Sequence, residues 1–222
     1  YEKYRWFISS EGYLVIGGKD ASSNEAIFRK HLAKNDIVLH TNFPGSPLMV
    51  IKNPKNDLIP ENTISEAADF VASFSRAWKE NWGVIDVFYV NSNQVSKTPP
   101  SGEFLPKGSF IISGKKNIIQ NSKTELALTL KFIKLSEDRG KIEDIFYPKI
   151  VIGPISAIKT QYDSFLTIKP SKSSGMGKGK IAKKIKKYFL NRSDIENKKW
   201  VHLLSLDDII NILPTGDSKI EE

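Results

Sequence analysis

The stretch ISEAADFVASFSRAW, residues 64–78, sets Ile64, Ala67, Ala68, Val71, Phe74, Ser75 and Trp78 on one face at helical spacing. A helix with so broad an apolar stripe has to be covered by other elements. The rest of the chain offers mainly strand-sized apolar runs for that purpose. Thr63 and Glu66 have capping-box spacing ahead of the stripe, so 64–78 is predicted as the main core helix, with Phe70, Val71, Phe74 and Trp78 buried. Residues 5–9 and 13–16 read as a hairpin joined by Ser10-Glu11-Gly12, and strands are expected at 36–40, 48–52, 84–90, 110–113 and 126–135. Ser22 and Glu25 repeat the capping-box spacing and predict a helix from about 23 to 33. Past Pro148 come strand signals around two Gly/Pro breaks and a short helix over 181–190. A further helix, 203–213, is opened by Ser205 and ended by Pro214, and the last residues are expected to fray.

Strands outnumber helices without strict alternation and no internal repeat is visible, which selects the α+β class. The expectation is a mostly antiparallel sheet with packed helices over 1–147, followed by a strand and basic helical C-terminal extension over 148–222 that packs on it. With 222 residues the chain can bury a sizeable core. No apolar run approaches the roughly 20 residues of a membrane helix, and the apolar face of the basic helix has few large residues, so no membrane association is expected. The absence of cysteine excludes disulfides and thiolate metal sites and is compatible with the cytoplasm. Tyr1 is not a start methionine, and the chain is expected to be part of a longer protein whose N-terminal region is missing.

Charge is the strongest functional signal. The net charge is +8, yet residues 169–199 hold eleven Lys and Arg against Asp194 and Glu196, so this segment alone carries +9. Such asymmetry suggests a polyanion partner, nucleic acid before an anionic membrane. Within it, Gly175-Met176-Gly177-Lys178-Gly179-Lys180 precedes a helix, but the four-residue spacing of a nucleotide-triphosphate loop and its Ser or Thr are absent. A more general reading survives: Lys178, Lys180, Lys183, Lys184 and Lys187 as contacts to a nucleic-acid backbone, against the plainer one of a solvated face. A second lysine-bearing stretch, 94–117, holds Lys97, Lys107, Lys115 and Lys116 among small and turn residues. It reads either as an ordinary surface loop or as a second phosphate-contacting edge.

Signals for chemistry are weak. The three histidines, His31, His40 and His202, are far apart and lack metal-ligand spacing. His40 ends a strand, where a structural role and a ligand-facing one are both open. Asp207 and Asp208 open a helix, where they complement its dipole. No catalytic residue, cofactor or metal is expected. There remains Gly17-Gly18-Lys19-Asp20 with Asn24 and Glu25, a polar set around a glycine pair between a strand and a helix.

The blocks Trp6–Glu25, Asp36-Ile37-Val38-Leu39-His40, Val50-Ile51-Lys52-Asn53-Pro54, Gln94-Val95-Ser96-Lys97-Thr98, Gly108-Ser109-Phe110 and Gly114-Lys115-Lys116-Asn117 occur together and in order. They resemble the NFACT-R domain of the NFACT family of ribosome quality control factors, over roughly residues 4–117. The basic tail is similar to the extension of archaeal-type members. The resemblance implies a protein that binds tRNA and the large ribosomal subunit carrying a stalled nascent chain. It would support template-free C-terminal tailing while the ribosome makes the peptide bond. It implies an RNA-binding role for Lys19, Asp20, Asn24, His40, Lys52, Lys97, Lys115 and Lys116, and no enzymatic activity. Partners would be tRNA, large-subunit RNA and the missing N-terminal region. Lys19 stands where arginine is usual, which keeps the charge but loses the bidentate fork. Thr41-Asn42 stand for Ala-Asp, removing a carboxylate, and Pro44 replaces a residue that is often histidine. The alternative class is an RNA-modifying or nucleotide-processing enzyme domain, which would need a walled pocket with perturbed ionisable groups.

Overall fold

The protein is described from a computed structural model covering residues 3–99, 104–135, 145–172 and 177–221, apart from the side chains of residues 195 and 196. Tyr1, part of the loop before Phe104 and residues 173–176 of the glycine-rich segment lie outside the described residues.

Alternation of apolar residues builds the first layer. Strands β1 (Arg5–Ile8), β2 (Leu14–Gly17), β3 (Ile37–Thr41), β4 (Met49–Ile51), β5 (Val84–Asn91) and β8 (Asn117–Lys123) form one antiparallel sheet in the order β1-β2-β4-β3-β5-β8. Adjacent residues face opposite ways, as the strand pleat requires. Val15, Leu39, Ile51 and Val87 enter one core, whereas Ile16, Val38, Val50 and Phe88 enter another. The second core is covered by helix α1 (Ala21–Lys30), with the two-stranded ribbon of β6 (Val95–Ser96) and β7 (Ile111–Ile112) packed against it through Val95 and Ile112.

The opposite face carries helix α2 (Glu61–Ser73), which lies across β3, β4, β5 and β8. A second antiparallel sheet completes that side: β9 (Leu126–Lys134), β10 (Phe146–Gly153), β11 (Leu166–Pro170) and β12 (Ser218–Glu221), in the order β10-β9-β11-β12. Helices α4 (Ile155–Gln161), α5 (Lys178–Arg192), α6 (Ile195–Val201) and α7 (Leu206–Ile212) pack on this second sheet, and α5 also packs on α6 and α7. Phe7, Phe70, Leu128, Ile185 and Leu213 belong to one continuous apolar cluster, so both sheets share a core. The fold is therefore α+β, with one core shared by the two sheets, a second under α1, and a basic helical C-terminal part. The expected division at 147 falls within β10, whose pairing with β9 begins at Phe146 and Lys134.

The main helix differs from its sequence reading in two places. It stops at Ser73, and a short helix α3 (Arg76–Lys79) follows. Ser75 makes the break: its hydroxyl donates to the Ala72 carbonyl (2.7 Å) and accepts from the Ala77 N–H (3.1 Å), which caps α3. Phe70, Val71 and Trp78 are buried, but Phe74, at the break, is only half-buried. The helix also begins earlier than its capping-box signal. Thr63 and Glu66 turn to the β1–β2 hairpin instead, where the Thr63 hydroxyl donates to Glu11 and also bonds the Ser9 hydroxyl, and Glu66 accepts the Ser10 N–H. At α1 the capping box is formed by Asp20 and Ser23, not by the side chains of Ser22 and Glu25.

Candidate nucleic-acid interface

The glycine pair before α1 is a matter of space. A Cβ at Gly18 would lie 1.9 Å from Asn24 Oδ1. With that space open, Asn24 accepts the Leu48 N–H (3.0 Å) and ties the first turn of α1 to the residue preceding β4. Asp20 accepts the Ser23 N–H (2.7 Å), and these hydrogen bonds hold its carboxyl below the usual aspartate range. Glu25 sits on the outer side of α1. Its Oε2 accepts from Lys97 Nζ (3.1 Å) and from the Gly108 N–H (3.3 Å), and its Oε1 from Arg29 (2.7 Å). Lys97, first among these partners, lowers the Glu25 pKa. Gly108 has φ +79 and packs so tightly that a Cβ would come 2.6 Å from Ala21 Cα. The loop carrying Lys107 is thereby clamped onto the start of α1.

The clamp completes a cleft of about 480 Å³. Lys19, Asp20 and Asn24 line it from the α1 side, and Lys107 from the clamped loop. Three cations that sequence reasoning missed also line it: Arg5 from β1, and Arg76 and Lys79 from α3. Among the described residues lining the cleft Asp20 is the one carboxylate beside these five cations, and Arg76 also pairs with Glu80 (3.3 Å). Arg5 lies with its guanidinium 4.0 Å from the Phe74 ring centroid, and burial pushes its pKa down to about 10 despite Asp20 nearby. It is charged at neutral pH. Burial, and then the charge of Arg5, lower the Lys19 pKa as well. A signal for Arg5 did exist in the sequence: it shares strand parity with the core residue Phe7, so it has to point inward. Phe7 meets Phe70 (4.7 Å) and Arg5 meets Phe74, a two-residue step on β1 matching a four-residue step on α2.

The other expected residues fall into three groups. His40, Lys115 and Lys116 lie toward β5 and β8. Lys116 Nζ is 4.4 Å from the Phe88 ring centroid, and His40 packs beside the same ring. His40 Nδ1 bonds the Thr41 carbonyl (2.7 Å), and burial lowers its pKa, leaving the ring neutral. The Lys115 carbonyl accepts from Gln94 (3.0 Å), and its side chain is exposed. Lys52 stands apart. It pairs with the buried Asp36 carboxylate and bonds the His31 carbonyl, closing the turn into β3. The third group is on α5, which starts at Lys178 rather than at 181. Ile181, Ala182, Ile185 and Phe189 are buried, while Lys180, Lys183, Lys184 and Lys187 are exposed. Lys178 donates to the Leu213 carbonyl (3.2 Å), and Lys186 to the His202 and Leu204 carbonyls (3.0 and 2.6 Å). Arg5 and Lys178 repel one another, so the start of α5 comes near the cleft. A shallow groove beside α5 adds Arg192 and Lys219 to Lys184 and Lys187.

The described residues contain no cluster of His, Asp or Glu able to hold a metal ion, and no helix among them is long and apolar enough to cross a membrane. What the geometry offers is anion recognition: cations from remote segments, carried on backbone that hydrogen bonds hold together, beside a second row of exposed lysines.

The same residues define the class of protein. The profile of the NFACT protein RNA binding domain matches residues 3–114. This chain belongs to the NFACT family. It is 35% identical over 220 residues to the archaeal Rqc2 homolog aRqcH of Methanocaldococcus jannaschii, covering 99% of this chain and 29% of that protein. It is 42% identical over 146 residues to the ribosome quality control complex subunit NEMF homolog of Drosophila melanogaster, covering 66% of this chain and 14% of that protein. It is 44% identical over 120 residues to ribosome quality control complex subunit 2 of Schizosaccharomyces pombe, covering 54% of this chain and 12% of that protein. The chain thus spans less than a third of the length of these relatives. A solved structure, the C-terminal part of the fibronectin/fibrinogen-binding protein from Streptococcus suis, is similar at 21% identity with a TM-score of 0.46, over 55% of this chain and 46% of that one.

Proposed function

We propose that this chain is the RNA-binding module of a ribosome quality control factor, and that it grips the phosphate backbone of tRNA or of large-subunit RNA. The observation that carries this reading is the cleft at the start of α1, where Arg5, Lys19, Arg76, Lys79 and Lys107 converge from four separate segments with Asp20 as the lining carboxylate. Clamped cations in a partly enclosed cleft suit a phosphate chain, whose charge density rewards each contact with released counterions. Asp20, Asn24, Glu25 and Lys97 act in this proposal by holding the cleft in shape. The exposed lysines of α5, with Lys178 near Arg5, extend the cationic track, and Lys115 and Lys116 offer a second approach beside Phe88. Lys52 contributes to the fold through Asp36 and is left out of the contact set. In the whole protein this module would work with the region that the relatives have and this chain does not cover. There it would help to hold a large subunit with a stalled nascent chain, where incoming tRNA extends that chain without a template. The chemistry would be the ribosome's and the setting the cytoplasm.

The test has two arms. Crosslinking of the full-length protein in cells, with the attached RNA sequenced, is expected to recover tRNA and large-subunit RNA. In solution, Lys19→Gln with Lys107→Gln is expected to weaken tRNA binding and flatten its salt dependence by about two contacts, roughly 0.7–0.9 log units each. Wild-type affinity and slope in that variant would remove the cleft from the interface.

A further inference from the structure

A second groove lies where the two sheets meet. β1 is one edge of the six-stranded sheet and β10 one edge of the four-stranded sheet, and a space of about 480 Å³ runs between them, bounded by α7. Its size falls within the roughly 300–1,000 Å³ of ordinary ligand sites. Its lining interleaves rings with cations. Arg5 lies against Phe74 as described, and Lys149 Nζ is 5.6 Å from the Trp6 ring centroid. Tyr147, 39% exposed, places its hydroxyl 3.4 Å from Asp208 Oδ2 on α7. Asn211, one turn further along α7, lines the same space.

Few ligands use all of these features. A free phosphate has no use for the rings, and an apolar ligand has none for the cations. An RNA duplex hides the faces of its bases. An unpaired nucleotide presents a flat face, a charged phosphate and a polar base edge together. The Asp208 carboxylate accepts, and the Asn211 amide both donates and accepts, so the α7 side can meet a base edge. Arg5, Lys19 and Phe74 line both this groove and the cationic cleft, so a strand whose phosphates follow the cleft is led into the groove.

We propose that the groove between β1 and β10 is a subsite for one unpaired nucleotide of an RNA strand, with its base against Trp6 and Tyr147 and its phosphate toward Arg5 and Lys19. The proposal rests on the RNA-binding reading of the adjoining cleft and specifies which form of RNA is recognised.

The test uses the 222-residue chain and three short RNAs of equal charge: a single strand carrying 2-aminopurine, the same strand with abasic sites, and a duplex. Stacking is expected to quench the 2-aminopurine fluorescence. The abasic strand is expected to bind about five- to a hundredfold more weakly than the intact one. Tyr147→Phe should retain the quenching and Tyr147→Ala should reduce it. Equal binding of intact and abasic strands, or binding without quenching, would overturn this proposal while leaving the cleft's phosphate role standing. Displacement of the quenched strand by an extended acidic peptide, with abasic binding untouched, would assign the groove to a protein segment and overturn it as well. No binding of any of the three RNAs at low salt would overturn both readings.

Discussion

The two basic regions of this molecule are built on different plans. At the start of α1 almost every polar group is engaged: Asp20 with Ser23, Asn24 with Leu48, Glu25 with Lys97, Arg29 and Gly108. On α5 the reverse holds. Lys180, Lys183, Lys184 and Lys187 stand exposed, spaced three or four residues apart, with no described acidic partner. The first plan fixes the backbone that carries the cleft's cations and suits recognition of shape. The second leaves long side chains mobile on a rigid apolar base and suits affinity for any polyanion. Like charges at this spacing disfavour the free helix slightly, and a bound phosphate chain relieves that repulsion.

The largest expected effect separates the two plans directly. Replacing Lys180, Lys183, Lys184 and Lys187 with Gln should weaken RNA binding by roughly a hundred- to a thousandfold near 0.1 M salt and flatten the salt slope by about three log units, if all four touch phosphate. Thermal stability should stay within about 0.5 kcal/mol per site. Fluorescence anisotropy across a salt series reads both slope and affinity, and an unchanged slope would reduce α5 to a solvated face.

Gly108→Ala attacks the other region. The new Cβ meets Ala21 at 2.6 Å and the backbone sits at φ +79. The docked loop should therefore lose about 1–3 kcal/mol and take Lys107 out of the cleft. Binding should weaken with the α5 share of the salt slope intact. Hydrogen exchange at the Gly108 amide reports the loosening.

Asp69 gives an internal contrast to the lowered carboxyls of the α1 edge. Burial on α2 raises its pKa from 3.8 to about 6, against the Lys123 N–H that bonds it (2.7 Å). A carboxyl whose folded pKa is raised binds more protons in the folded state. Its contribution to stability therefore falls as pH rises from about 4 to 6 and stays low above that. Asp69→Asn should stabilise the protein by about 1–3 kcal/mol at pH 7, with the gain vanishing near pH 4. Denaturant unfolding at the two pH values measures it.

The smallest effect concerns Glu25, whose folded pKa is lowered, chiefly by Lys97. Its hold on Lys97 and Gly108 is present above the ordinary glutamate value and is lost as pH falls through the lower, folded one. The Gly108 amide resonance should titrate below the ordinary value of 4.5, and the α5 amides should not follow it.

Much of the fold was legible because alternation is a strong signal. Strands β3, β4, β5 and β9 lie within a residue or two of their expected places. β8 was missed. Its sequence, NIIQNSK, forms an exposed edge, and Asn121 at φ +56 breaks its pairing rhythm. α4 and α6, seven residues each, are too short to show a helical period. The last residues form β12 instead of fraying, because Ser218 accepts the Trp78 indole N–H (3.2 Å) and Ile220 pairs with Ile168. In both capping boxes the signature was present but the donors and acceptors went elsewhere, to tertiary partners that local spacing does not reveal. The candidate site divided in the same way. Lys19, Lys107 and the α5 lysines could be named from sequence, whereas Arg76 and Lys79 joined the cleft only because Ser75 breaks the helix just ahead of them.

That bond between Trp78 and Ser218 has a consequence for the order in which a ribosome would release this chain. The six-stranded sheet has all its strands once residue 123 has left the exit tunnel. The four-stranded sheet waits for residue 221, and the indole of Trp78 waits almost as long for its acceptor. During synthesis, then, the early half can close while one face of α2 still lacks its cover. The groove between β1 and β10 waits for residue 212, and the groove beside α5, lined by Lys219 and Ile220, is completed last.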